Sequence, residues 1–248
     1  YRSYQPGDDL NLVDWKMFAR SDRYYVRESE IESSVSVRFI LDATASMAHE
    51  EGGVSKFDYA RFLVASLAYL ADSQGDGIGL IVLNNANIIQ LPAKRSHQHL
   101  HRFLHELENL RPTGRWPKWK KLQSIFTASQ SREVHIFVTD FYEENDEIQK
   151  VLALLSSLKH EILLFHIMGQ NELDFNYEGA LSFEDLESGQ VVQVDSEKNR
   201  AGYTRALHDR MRFLKQASQE QHMTYELLSL QNPLDFALRN FIRQRMRH

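Results

Sequence analysis

VSVRFILDATASM, Val35–Met47, decides how this chain is read. Val35, Val37, Phe39 and Leu41 alternate, and Ile40 between them is apolar too. Alternation places one face of a strand on a core, and apolar residues on both faces towards its end predict a central strand. The run breaks at Asp42, and two hydroxyls follow at Thr44 and Ser46. A second buried run, EVHIFVTDF (Glu133–Phe141), also ends in an aspartate, Asp140. Open α/β sheets bind ligands outside the carboxyl ends of their strands, so these endings form the candidate site. Carboxylates and hydroxyls are hard oxygen donors suited to Mg²⁺ or another divalent cation. The competing reading is that Asp42, Thr44 and Ser46 cap the next helix.

The rest of the chain alternates helices and strands. KFDYARFLVASLAYLADSQ (Lys56–Gln74) is apolar nearly all round, which predicts a buried helix. Strands follow at DGIGLIVLN (Asp76–Asn84) and NIIQLPA, and in HQHLHRFLHELENL the residues Leu100, Phe103, Leu104, Leu107 and Leu110 share a helical face. Further elements are a helix over Glu147–Leu158, a strand over Glu161–Met168 and a hairpin over Leu181–Asp195. A helix over Tyr203–Gln221, a strand over Thr224–Leu230 and a last helix over Pro233–Arg245 complete the pattern. The pattern predicts an α/β fold: an open, mostly parallel, doubly wound, Rossmann-like sheet with a small β-hairpin insertion. Residues 1–34 are expected to form an N-terminal extension, and residues 35–248 the α/β domain. No G-x-G-x-x-G follows the first strand, and neither a P-loop nor a G-x-S-x-G is present.

With 248 residues, 42% hydrophobic, the chain can bury a substantial core. A net charge of −5 argues against nucleic-acid partners, despite RWPKWKK (Arg115–Lys121) and the basic end RNFIRQRMRH. His97, His101 and His105 line one helical stripe; zinc is one reading, a solvated flank the better one. The absence of cysteine excludes thiolate chemistry and disulfides and suits a reducing, cytoplasmic compartment. FLVASLAYLA is about half the length a bilayer span needs, so no membrane span is expected in this segment, although an upstream anchor would escape notice.

D-A-T-A-S at Asp42–Ser46 resembles the D-x-[ST]-x-S motif of von Willebrand factor A (vWA) domains, whose metal-ion-dependent adhesion site uses these side chains. RSYQPGDDLNLVDWKMFAR (Arg2–Arg20) resembles the hallmark of the bacterial DUF58 family, R-x-Y-x-x-G-D-x-x-R-x-I-D-W-x-x-x-A-R. GDGIGLIVL, VTDF, FEDLESGQVVQVD and MTYELLSLQNPLDFALRNFIRQR are also similar to family segments. The resemblance covers essentially the whole chain. It implies a vWA-like, non-enzymatic protein–protein interaction module working with a MoxR-type AAA+ ATPase in assembly or activation of other complexes. It also implies a divalent cation at Asp42, Thr44, Ser46 and Asp140. Two positions depart from the pattern. Asn11 stands where the hallmark has Arg. Aligning RPTGRW on the family's P-x-G-G-T loop puts Arg115 on a glycine and Trp116 on the threonine ligand. On that alignment Arg115 and Trp116 face the cation's place and Thr113 is the hydroxyl that could move in. Either Arg115 pairs with Asp42 or Asp140 instead of the cation or a weak cation site remains, so divalent-ion affinity is expected to be absent or weak. Thr113, Arg115 and Trp116 are therefore the candidate interaction residues. The competing function is a metal-dependent hydrolase using Asp42 and Asp140, although the strand-end motifs supply no His or Glu as acid or base. A haloacid-dehalogenase-type phosphatase would need a second aspartate where Thr44 stands.

Overall fold

The computed structural model describes residues 2–5, 13–26, 35–86, 88–127, 132–142, 146–158, 160–177, 179–235 and 238–239. The chain divides into two compact units, Tyr1–Ser34 and Val35–His248. In the first, β1 (Arg2–Ser3) pairs antiparallel with β2 (Tyr25–Val26). Helix α1 (Trp15–Ser21) starts where the Asp14 carboxylate accepts from the amides of Lys16 and Met17 and so caps its first turn. Asn11 and the charged stretch Arg27–Ser34 lie outside the described residues.

Beside a short antiparallel pair, β4 (Glu50–Glu51) and β5 (Val54–Ser55), the second unit is built on six longer strands, β3 (Ser36–Asp42), β6 (Gly77–Leu83), β7 (Ile89–Lys94), β8 (Val134–Thr139), β9 (Glu161–Met168) and β12 (Thr224–Ser229). They form one sheet in the order β12-β9-β8-β3-β6-β7. All neighbours are parallel except the edge pair β6–β7. Edge strand β7 tolerates Pro92, which has no amide hydrogen to donate. Gly79 of β6 is required because a Cβ there would come within 2.9 Å of the Ala93 nitrogen.

Alternation in β3 separates two cores. Val37, Phe39 and Leu41 pack under α2 (Lys56–Ser73) and α3 (His97–Asn109), and Phe39 meets Phe103 edge-on at 5.6 Å. Truncating such a buried Phe to Ala costs about 3–5 kcal/mol. Ile40, on the opposite face, joins Phe137 and Leu164 beneath α4 (Trp119–Phe126), α5 (Glu147–Ser157) and α7 (Ser196–Glu220). Between β9 and α7 come the short helix α6 (Gln170–Asp174) and the hairpin β10 (Ala180–Glu184) to β11 (Val191–Asp195).

Helix α7 begins seven residues before the expected Tyr203. Asp195 caps it by accepting the Lys198 amide, and its first turns are polar and largely exposed, so they carry no apolar period. The helix expected over Pro233–Arg245 is helical at residues 234–235 and 238–239; Pro233 itself is not helical, and the remaining residues fall outside the described ones. The consequence for function is topological. Asp42 ends β3 and Asp140 directly follows β8, so adjacent parallel strands deliver both carboxylates to one rim.

Candidate functional site

At that rim the oxygens form a hydrogen-bonded chain. Asp42 Oδ1 accepts from the Thr44 amide at 2.9 Å and from Thr44 Oγ1 at 2.8 Å, while Oδ2 accepts from Thr139 Oγ1 at 2.7 Å. Thr44 Oγ1 lies 3.0 Å from Ser46 Oγ, which donates to Asp140 Oδ1 at 3.2 Å. Thr44 does not cap the short 3₁₀ turn Ala45–Ala48, because its hydroxyl is turned inward. Asp42 is fully buried, and burial, reinforced by the charge of Asp140, lifts its pKa to about 7 against the hydrogen bonds from Thr139 and Thr44.

Distant elements complete the site. Lys56, the first residue of α2, places Nζ 3.0 Å from Asp140 Oδ2 and 2.8 Å from Glu172 Oε1. Burial alone would lower the Lys56 pKa, but the two carboxylates outweigh it and hold it above its ordinary value. Glu172 is positioned by α6, whose first amides, Gln170 and Asn171, donate to Glu51, and by its own bond from the Gly169 amide. His166 of β9 donates through Nε2 to the Asp140 carbonyl and accepts at Nδ1 from the Tyr225 hydroxyl; burial brings its pKa down to about 4. From the hairpin tip, Glu187 reaches Thr44. Burial first, then Asp42, raise its pKa to about 7, and its Oε1 is buried with no hydrogen-bond partner among the described residues.

A family model described as "Protein of unknown function DUF58" matches residues 1–212. The chain belongs to the DUF58 family. An uncharacterized protein of Mycobacterium tuberculosis is 24% identical to it over 193 residues, 77% of this DUF58 chain and 60% of that protein. The chain thus spans 60% of the length of that curated relative. BatB, a conserved hypothetical protein of Bacteroides thetaiotaomicron, superposes with a TM-score of 0.56 at 14% identity, covering 87% of this chain and 100% of BatB. At that identity the likeness concerns the fold alone. The VWA domain of SpRpn10 aligns at 11% identity and a TM-score of 0.47 over 81% of this chain and 91% of its own. The sheet, parallel but for one edge and covered by helices on both faces, is the fold this chain shares with BatB.

Within this DUF58 fold the loop Arg111–Lys118 is arranged differently from the expectation. Gly114 takes a positive φ of 72°, and a Cβ there would collide with Asn85 Oδ1. That turn ties the loop backbone to the rim: Thr113 N donates to the Ala43 carbonyl at 2.8 Å and Ala45 N to the Gly114 carbonyl at 2.9 Å. It also sends Trp116 away from the cation's place. The indole is buried in the second core, edge-on to Phe137 at 6.0 Å. Arg115 pairs with neither Asp42 nor Asp140; its Nε donates to the Glu187 carbonyl at 2.9 Å and braces the hairpin tip. Thr113 is exposed, and its hydroxyl makes no bond to the four rim residues among the described residues. The cation that meets Asp140 is Lys56, which the sequence reading passed over. A clue was available: a lysine at the first position of a helix opposes the macrodipole and needs carboxylates nearby. His97, His101 and His105 stay on α3, away from the rim, and His97 stacks edge-on with His101 at 4.8 Å.

The donor set of Asp42, Thr44, Ser46 and Asp140 fits a hard divalent cation. Neighbouring oxygens are 2.8–3.2 Å apart. Carboxylate and hydroxyl oxygens packed this closely are the donor types that Mg²⁺ takes.

Proposed function

We propose that this DUF58 chain is a non-enzymatic protein–protein interaction module acting through the carboxyl rim. Its partner is a MoxR-type AAA+ ATPase, with which it assembles or activates other complexes. The convergence of Asp42, Thr44, Ser46 and Asp140 into one hydrogen-bonded chain, beside the exposed Thr113 and Arg115, carries the reading. The family resemblance supplies the partner class. A divalent cation held by those four residues would offer an open coordination position to an acidic side chain of the partner.

The test is biolayer interferometry against the purified MoxR-type ATPase of the same host, with Mg²⁺ and with chelator. Asp140→Asn should weaken binding about tenfold, the loss expected when one polar contact of a buried network goes, while the thermal transition stays cooperative. Chelator should weaken the wild type and leave the variant unmoved. Unchanged affinity in the variant would place the interface elsewhere, with Arg2–Arg20 next to be probed.

One observation favours a second reading, metal-dependent hydrolysis by Asp42 and Asp140. Glu187, absent from the strand-end motifs, reaches the rim with a pKa of about 7, where a general acid would be useful. Turnover of p-nitrophenyl phosphate with Mn²⁺, abolished by Glu187→Gln, would establish it.

A further inference from the structure

Beside the rim, the hairpin β10–β11 and the first turns of α7 enclose a cavity of about 720 Å³. One wall is aromatic and packed on itself: Phe175 lies 4.5 Å from Tyr203 and stacks with Phe183 at 6.1 Å, and Tyr177 meets Phe183 edge-on at 5.1 Å. The hairpin supplies an apolar lip, with Leu186 47% and Val192 56% exposed. The floor holds Lys56, Asp140 and Glu172 of the rim network.

The charges are unequal. Four carboxylates line the cavity, Asp140, Glu172, Glu184 and Asp185, against the ammonium groups of Lys56 and Lys198. Lys56 is already shared between Asp140 and Glu172, and Lys198 is drawn to Asp195, outside the lining, at 2.8 Å. An acidic occupant would therefore enter a lining that already carries more carboxylates than ammonium groups. A neutral apolar occupant would use the wall and leave the carboxylates without gain. A cation on an aliphatic stem uses both, since aromatic faces attract cations and the stem covers apolar surface. A guanidinium suits this better than an ammonium, because it is flat, weakly hydrated and matched to carboxylates.

We propose that this cavity receives an arginine side chain from a segment of the protein partner, its stem and plane against Phe175 and Tyr203 and its charge towards Glu172. The proposal rests on the interaction-module reading and adds the chemistry of what is recognised: a basic residue flanked by apolar ones that settle on Leu186 and Val192.

The test is an amide-correlation NMR titration of the whole chain with the blocked tripeptide acetyl-Leu-Arg-Leu-amide. Controls carry citrulline or glutamate in place of arginine. Saturable shifts at Phe183, Val192 and Tyr203 are expected with arginine, with affinity at least roughly fivefold better than with citrulline. Glu172→Gln should erase that preference. Val192→Arg, a change at an exposed position that leaves the core untouched, should place a competing cation at the mouth and weaken the arginine peptide by a similar factor. Equal binding of the arginine and citrulline peptides, tighter binding of the glutamate peptide, or no saturable shift at millimolar peptide would each overturn the proposal. If the peptides fail while the ATPase still binds in a manner sensitive to Asp140→Asn, the arginine pocket falls and the interaction module stands.

Discussion

The two ends of the parallel sheet bury ionisable groups in opposite ways. At the amino end, Glu133 receives a bidentate pair from Arg38, Nε at 2.8 Å and Nη2 at 2.7 Å, and a third contact from His135 Nε2 at 3.0 Å. The Glu133 amide donates to His160 Nδ1, and the two imidazoles stack at 4.3 Å. One carboxylate is matched there by one guanidinium. Burial would raise the pKa of Glu133, but the bonds from His135 and Arg38 outweigh it and bring it down to about 2. At the carboxyl end, Asp140 and Glu172 share the Lys56 ammonium, while Asp42 and Glu187 have no ion pair among the described residues, and burial leaves those two near 7. Similar materials thus make a closed structural clamp at one end and an anion-rich, incompletely neutralised rim at the other. The difference shows which end has electrostatic capacity left for a partner or a cation.

The largest effect should come from breaking the balanced end. Glu133→Ala strands Arg38 and His135, whose side chains are 16% and 2% exposed, and should lower the unfolding free energy in urea by about 3–5 kcal/mol. A loss below about 1 kcal/mol would mean that Arg38 escapes to water and the clamp is no clamp.

Lys56→Met should do less harm, although Lys56 is as deeply buried. Without the ammonium the Asp140 and Glu172 carboxylates face each other unshielded, a repulsion that acid weakens. The loss should be about 2 kcal/mol at pH 8 and smaller at pH 5. A loss that does not shrink on acidification would contradict the idea of an over-anionic rim.

The smallest and most diagnostic effect is the sign of the pH dependence, measured by urea unfolding in chelator. Glu133 has a folded pKa below its unfolded one, so its stabilisation is full above about 4.5 and disappears as the pH falls towards about 2. Asp42 is the reverse. The folded state keeps a proton that the unfolded state releases, so stability falls as the pH rises from about 4 to about 7. Asp42→Asn should remove the Asp42 share of that upper slope, to which Glu187 adds and which His166 opposes, and leave the acid limb intact, whereas Glu133→Gln should remove the acid limb alone. If Asp42→Asn leaves the upper slope unchanged, the two ends do not differ as described.

Much of this was legible in the chain. The alternation in VSVRFIL assigned Val37, Phe39 and Leu41 to one core and Ile40 to the other, because side chains on a strand reverse direction at each residue whatever surrounds them. The two strand-then-aspartate endings put Asp42 and Asp140 at the same rim once the strands were parallel neighbours, and the motifs around them carried the family. The loop RPTGRW was not legible. An alignment places residues along a chain, but the direction of Arg115 and Trp116 depends on the left-handed turn at Gly114, on Asn85 beside it and on an open space near Phe137 for an indole. Nor could the partner of Asp140 be read locally, since Lys56 lies 84 residues before it and 116 before Glu172. Periodicity is a property of neighbouring residues and survives in the sequence. The pairing of buried charges is settled only when folding removes water and brings remote groups within about 3 Å, where an unpaired charge would be too costly to keep.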